Sequence, residues 1–150
     1  MWVMPDETLA VDVPVTPATR VAEETLLGFD FGTRRIGVAL GNTLTRCARP
    51  LEIIASEPIK ARFARIETLL EEWQPDRVVV GLALAADGSD QPAAGRCRRF
   101  ADQLRGRFRL QVVLQDERHS SLEAQEMQTR HGADDALAAA VILQRYLDAL

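Results

Sequence analysis

The sequence predicts an α/β domain built on a mixed five-stranded sheet flanked by helices. Short apolar runs alternate with segments whose apolar residues recur at helical spacing, in the order β-β-β-α-β-α-β-α-α. The length of 150 residues and the apolar content of 47% allow one domain with a substantial core. The charged content of 27% argues against global disorder.

The first half of the domain begins with a predicted hairpin. Leu26–Asp30 and Ile36–Leu40 are apolar runs joined by a short turn that contains Gly32. A third strand is expected at about 48–54. Apolar residues at helical spacing then predict a helix over 59–73, which a proline-aspartate pair ends.

The second half alternates strands and helices. Arg77–Gly81 is apolar on both faces, which is typical of a buried strand. A helix is expected next, capped by Ser89 or Asp90, with Pro92 in its first turn and its end near Gly106. It is followed by a predicted strand at Leu110–Leu114 and by two predicted helices at about 120–130 and 134–149.

Residues 1–24 are expected to form a mobile arm in front of a domain at 25–150. They contain three prolines and no helical or strand period, apart from a possible short strand at 11–15. The formal net charge of −4 lies wholly in the first 25 residues, so the rest of the chain is neutral. Of 18 basic residues 17 are arginines, which suits phosphate binding but equally fits codon bias.

The sequence favours a cytoplasmic location without a membrane partner. The first residues have neither a basic nor an apolar signal-peptide region. Cys47 and Cys97 have no metal-like spacing and indicate a reducing compartment. The longest apolar run, 78–86, is about half as long as a membrane-spanning helix.

Three acids are expected at one edge of the sheet. Asp30 ends the first strand, Glu117 follows the last strand, and Asp135 opens the terminal helix. Carboxylates that converge repel one another unless a cation lies between them, and oxygen-only ligands favour Mg²⁺ or Mn²⁺. Paired metals of this kind serve phosphodiester hydrolysis. The spacing alone is compatible with a metal site of this kind.

Each acid also has a structural alternative. The Asp30 side chain can cap the turn that follows it. Glu117 can pair with Arg118 on the surface. Asp135, like Asp134, stands where a helix N-terminus favours negative charge.

Several segments, in order and spacing, resemble the YqgF family of pre-16S rRNA nucleases, which are also described as Holliday-junction-resolvase-like proteins. The similarity covers about residues 26–147. The matching motifs are Phe29-Asp30-Phe31-Gly32-Thr33-Arg34-Arg35-Ile36-Gly37-Val38-Ala39, Ala48-Arg49-Pro50-Leu51, Val80-Gly81-Leu82, Asp87-Gly88-Ser89-Asp90-Gln91, Asp116-Glu117-Arg118 with Ser120-Ser121-Leu122-Glu123-Ala124, and Asp135 with Ala138-Ala139 and Ile142-Leu143.

The resemblance implies an RNase H-like fold and a catalytic, metal-binding triad at Asp30, Glu117 and Asp135. Three departures stand out. Ala83 replaces a usual proline, His119 replaces a usual leucine, and the stretch between Glu117 and Asp135 is short with few basic residues.

Nucleic-acid contacts are expected from two basic regions. One comprises Thr33, Arg34 and Arg35 beside Asp30, joined by Arg118 beside Glu117. The other is the arginine-rich helix, with Arg96 and Arg99. A merely solvated helix face would look the same.

The predicted function is a metal-dependent endonuclease that acts on structured nucleic acid, in processing of the 5′ end of pre-16S rRNA during ribosome biogenesis. The expected partners are precursor rRNA or branched DNA, and ribosomal particles. Two alternatives stay open at this point: a Holliday-junction resolvase in DNA recombination, and a non-catalytic nucleic-acid-binding factor in ribosome assembly.

Overall fold

A computed structural model describes residues 23–84, 87, 92–116 and 135–150. The predicted arm, except its last two residues, and the predicted helix at 120–130 lie outside the described residues. Glu24 already belongs to the packed domain. Its backbone exchanges hydrogen bonds with Thr43, and its carboxylate pairs with Arg77 at 3.3 Å.

The described chain contains five strands and three helices, in the predicted order. The strands are β1 (Thr25–Phe31), β2 (Arg35–Asn42), β3 (Cys47–Ala55), β4 (Arg77–Leu82) and β5 (Val112–Asp116). The helices are α1 (Ile59–Trp73), α2 (Pro92–Phe108) and α3 (Asp135–Asp148). The predicted α/β fold class is therefore confirmed.

The strands form one mixed sheet in the order β3-β2-β1-β4-β5. β1, β2 and β3 are antiparallel neighbours, whereas β4 and β5 run parallel to β1. Consequently β1, β4 and β5 all end at the same side of the sheet, at Phe31, Leu82 and Asp116. We call this side the carboxyl edge.

The strand β5 differs from the prediction, because it starts and ends two residues later than expected. α2 ends at Phe108, and Arg109 follows it with a left-handed φ of 56° while its N–H donates to the carbonyl of Arg105. Residues 110–111 are then needed to turn the chain into the sheet. The shift brings Asp116 into register with Leu82 at the carboxyl edge.

Helices cover both faces of the sheet. α1 and α2 cover one face, where Phe29 and Phe63 pack against Phe100 of α2 with ring centroids 5.7 and 6.4 Å away. α3 covers the other face, where Leu26 of β1 packs with Leu143 and Leu147. None of the described helices has the length and apolarity that crossing a membrane requires.

Candidate active site

Asp30 lies on the α3 face of the sheet, one residue before the end of β1. Successive side chains of a strand point to opposite faces, and Leu26, four residues earlier, packs against α3. Asp30 is half-buried, and it pairs with Gly37 across the β1–β2 hairpin. The turn itself is closed by a backbone hydrogen bond of 3.0 Å from Gly32 N–H to the carbonyl of Arg35.

Gly37 is the reason that α3 can begin beside Asp30. A Cβ atom at this position would collide with the backbone carbonyl of Asp135 and would lie 2.9 Å from the nitrogen of Ala136. Only glycine leaves room for the helix backbone at such close approach. The first turn of α3 thus sits on the strand position opposite Asp30.

The environment of Asp30 disfavours its ionised form. Burial raises the pKa of Asp30 to about 6, and the negative charge of Asp135 adds to the increase. The ionised Asp30 carboxylate is therefore destabilised in this environment. A bound cation would relieve both causes.

Asp135 already has a cationic neighbour. Nε of Arg35, the first residue of β2, lies 3.1 Å from Oδ2 of Asp135, and both side chains are partly exposed at 62% and 37%. Asp135 also stands in the first turn of α3, where the helix dipole favours a carboxylate. The ion pair with Arg35 and the helix N-terminus therefore each stabilise an acid at this position, independently of metal binding.

The β1–β2 turn presents Thr33, Arg34 and Arg35 as exposed residues at the carboxyl edge. Ser56, just beyond β3, fixes this turn. Its hydroxyl donates to the carbonyl of Gly32 at 2.7 Å, and its N–H donates to the carbonyl of Arg34 at 2.9 Å. The two arginines are thereby held at the same edge as Asp30 and Asp135.

The third predicted acid, Glu117, and the neighbouring Arg118 lie outside the described residues. The last described residue before them, Asp116, ends β5 at the carboxyl edge. Within the described ranges, no three acidic, histidine or cysteine side chains form a metal-binding group. The structure therefore brings Asp30 and Asp135 together and describes two members of the predicted triad.

Comparison with known proteins identifies the chain's relatives. The sequence model of the RuvX family, described as Holliday junction resolvase, matches residues 24–149. The chain belongs to the RuvX family. This is the YqgF family of the sequence prediction, which is thereby confirmed.

Other RuvX relatives are close in sequence. A protein of Bordetella petrii named "Putative pre-16S rRNA nuclease" is 71% identical over 128 residues, which cover 85% of this chain and 98% of the relative. A protein of Ralstonia pickettii with the same name is 47% identical over 137 residues, which cover 90% of this chain and 96% of the relative.

Solved structures support the RNase H-like fold of this RuvX family member. Thermus thermophilus RuvC in complex with a Holliday junction substrate superimposes with a TM-score of 0.51 at 18% identity, covering 83% of this chain and 94% of that one. The fowlpox virus Holliday junction resolvase gives a TM-score of 0.54 at 14% identity, with coverage of 84% and 99%. At such identities the likeness concerns the fold alone.

The other predicted nucleic-acid contacts, Arg96 and Arg99, are exposed on α2 and so belong to the opposite face of the sheet from Asp135. Sequence reasoning about this RuvX chain missed two residues that shape the site, Gly37 and Ser56. A glycine inside a predicted strand is a known sign of close backbone approach, so Gly37 carried a usable signal. Ser56 carried none, because its partners in the turn are 22 and 24 residues away.

Proposed function

We propose that this protein is a metal-dependent endonuclease that hydrolyses phosphodiester bonds in structured RNA and processes the 5′ end of pre-16S rRNA. The observation that carries the proposal is the pair of Asp30 and Asp135 at the carboxyl edge, with the pKa of Asp30 raised to about 6. The names of close relatives in Bordetella and Ralstonia support the substrate. A precursor rRNA substrate implies a cytoplasmic location.

The residues at the edge fit a hard divalent cation. Asp30 and Asp135 offer only oxygen donors, and we assign Glu117, which follows β5 in the sequence, as the third ligand. The electrostatic penalty on Asp30 is one that a cation would remove. Mg²⁺ or Mn²⁺ bound here would supply charge stabilisation and a water nucleophile for phosphodiester hydrolysis.

The basic residues of the edge bind and orient the substrate strand. The salt bridge to Asp135 uses Nε of Arg35, so the guanidinium retains further N–H donors for a phosphate oxygen. Arg34 and Thr33 extend the same exposed turn. We assign Arg118 beside Glu117, and Arg96 and Arg99 on α2, as additional phosphate contacts.

A Holliday-junction resolvase is the second candidate. The description of the matching family favours it, because it names Holliday junction resolvase as the activity. A four-way DNA junction offers the same phosphodiester chemistry to the same acids. The two candidates therefore differ in substrate and share the site.

Cleavage by the purified protein distinguishes these functions. The substrates are a 16S rRNA fragment with its 5′ precursor extension and a four-way DNA junction, each tested with millimolar Mg²⁺ and with excess chelator. We expect cut RNA only with metal, and little cutting of the junction. Preferred junction cleavage would support the resolvase. Binding of either substrate, with cleavage of neither, would support the non-catalytic assembly factor.

A further inference from the structure

A second basic surface lies between α1 and α2, on the face of the sheet opposite α3. A groove there has a volume of about 390 Å³ and is lined by Ile59, Lys60 and Phe63 of α1 and by Arg107 and Phe108 of α2. Ile59 is 48% exposed although it is a large apolar side chain. We call this feature the α1–α2 groove.

Two arginines share one aromatic ring at the groove. The guanidinium carbon of Arg107 lies 4.0 Å from the ring centre of Phe63, and that of Arg62 lies 4.8 Å from the same centre. Arg62 is only 6% exposed, and within the described residues its Nε has no hydrogen-bond acceptor. Two cations so close together, one of them buried, form a strong local positive charge.

Arginines continue along the same side of α2. Gln103 accepts a hydrogen bond from Arg62, and Arg107 stacks on Phe63, so this side of α2 faces α1. Arg96 precedes Gln103 by seven residues and Arg107 by eleven. These spacings are close to two and three helical turns, so the three residues lie on the same side of α2. Arg99 lies beside them, and Arg96, Arg99 and Arg107 are all exposed. The row is about 16 Å long at the rise of an α-helix.

The row begins near the proposed catalytic edge. Phe31 directly follows Asp30 in β1, and its ring stacks on that of Phe100 with the centroids 4.7 Å apart. Phe100 adjoins Arg99 in α2. The row therefore starts behind the end of β1, on the other face of the sheet from Asp30.

We propose that the α1–α2 groove, together with the adjoining row of Arg96, Arg99 and Arg107, binds a single-stranded RNA segment that flanks the cleavage site. The proposal rests on the proposed nuclease function and adds a requirement for an unpaired flank. Arg96, Arg99 and Arg107 form one row along α2, which suits a single phosphate backbone. Phe63 is only 4% exposed, so the exposed guanidinium of Arg107 above its ring is the surface on which a base can stack.

A carboxylate in the groove lining opposes this charge and provides a test in the other direction. Glu67 of α1 also lines the groove. Its negative charge repels a phosphate backbone, so Glu67→Gln is expected to tighten RNA binding about twofold. Glu72→Gln is the matched control, because Glu72 is exposed on the opposite side of α1.

The main experiment measures binding of a labelled 12-nucleotide single-stranded RNA and of the corresponding duplex to the full chain, at several salt concentrations. We expect R96A/R99A/R107A to bind the single strand at least tenfold more weakly. Its plot of log affinity against log salt should be shallower by about 2, since each single-strand phosphate contact contributes about 0.7. The wild type should prefer the single strand.

A control variant removes equal charge elsewhere. R46N/R49A/R65A changes three exposed arginines: Arg46 in the turn before β3, Arg49 in β3, and Arg65 on the far side of α1. Asparagine is used at position 46 because it tolerates the φ of 56° there. It should bind the single strand within about twofold of wild type. Equal binding by R96A/R99A/R107A and wild type, equal losses in both triple variants, or a wild-type preference for duplex would overturn the groove proposal. A wild type that binds but cuts nothing would instead refute the nuclease function.

Discussion

Replacing Asp30 with asparagine is expected to abolish cleavage while making the metal-free protein more stable. An amide is a poor ligand for a hard divalent cation, so the variant should lose cleavage almost entirely. The same change removes a carboxylate that burial and Asp135 destabilise. The free energy of unfolding at pH 7.5, measured by urea denaturation with chelator, should rise by on the order of 2 kcal/mol.

The stability gain should depend on pH in a defined direction. Because the pKa of Asp30 is about 6 in the folded chain against an ordinary value of 3.8, the folded state binds the proton more tightly. Wild-type stability therefore contains a contribution that is present below about pH 4 and is lost as the pH rises through 6. The difference between Asp30→Asn and wild type should be small at pH 4 and full above pH 6.

Asp148→Asn is the matched control, since it makes the same change at the opposite, exposed end of α3. It should cleave like wild type and show no comparable pH-dependent gain. If Asp30→Asn kept wild-type cleavage, Asp30 would have no catalytic role. If it were less stable than wild type at pH 7.5, the electrostatic description of the site would be wrong.

Gly37→Ala should strongly destabilise the domain. The added Cβ would occupy the position of the Asp135 carbonyl, so the first turn of α3 must move away from β2. We expect a loss of stability of roughly 2–4 kcal/mol. The molecules that remain folded should also cleave more slowly, because Asp135 is displaced.

Gly95→Ala separates this steric effect from a general effect of alanine. Gly95 lies within α2, and a Cβ there meets no atom within 4 Å. Alanine should stabilise this helix by about 0.5–1 kcal/mol. Comparable stability of Gly37→Ala and wild type in thermal unfolding, with full cleavage, would show that α3 does not rest on Gly37.

Much of the fold follows from local sequence patterns. The helical spacing of apolar residues predicted α1 at its observed bounds of 59–73. The uninterrupted apolar run at 77–81 predicted the central strand β4, which extends one residue further to Leu82. The acid at the end of an apolar run likewise indicated Asp30 as a residue of the carboxyl edge.

The parts that sequence reasoning missed depend on contacts between distant residues. The start of β5 is fixed by the left-handed residue Arg109, a conformation that arginine rarely adopts. The approach of α3 to Gly37 joins residues about 100 positions apart. The relation of Arg107 to Phe63 arises from the packing of two helices, so a basic helix face alone could not distinguish a groove from a solvated surface.

Direct measurement of Mn²⁺ binding tests the proposed metal site without requiring a substrate. Electron paramagnetic resonance can follow free Mn²⁺ during titration of wild type, Asp30→Asn, Asp135→Asn and Asp148→Asn at pH 7.5. We expect saturable binding by wild type and Asp148→Asn, and at least tenfold weaker binding by the two edge variants. Binding of equal strength in all four proteins, or no saturable binding by wild type, would contradict a metal site at Asp30 and Asp135.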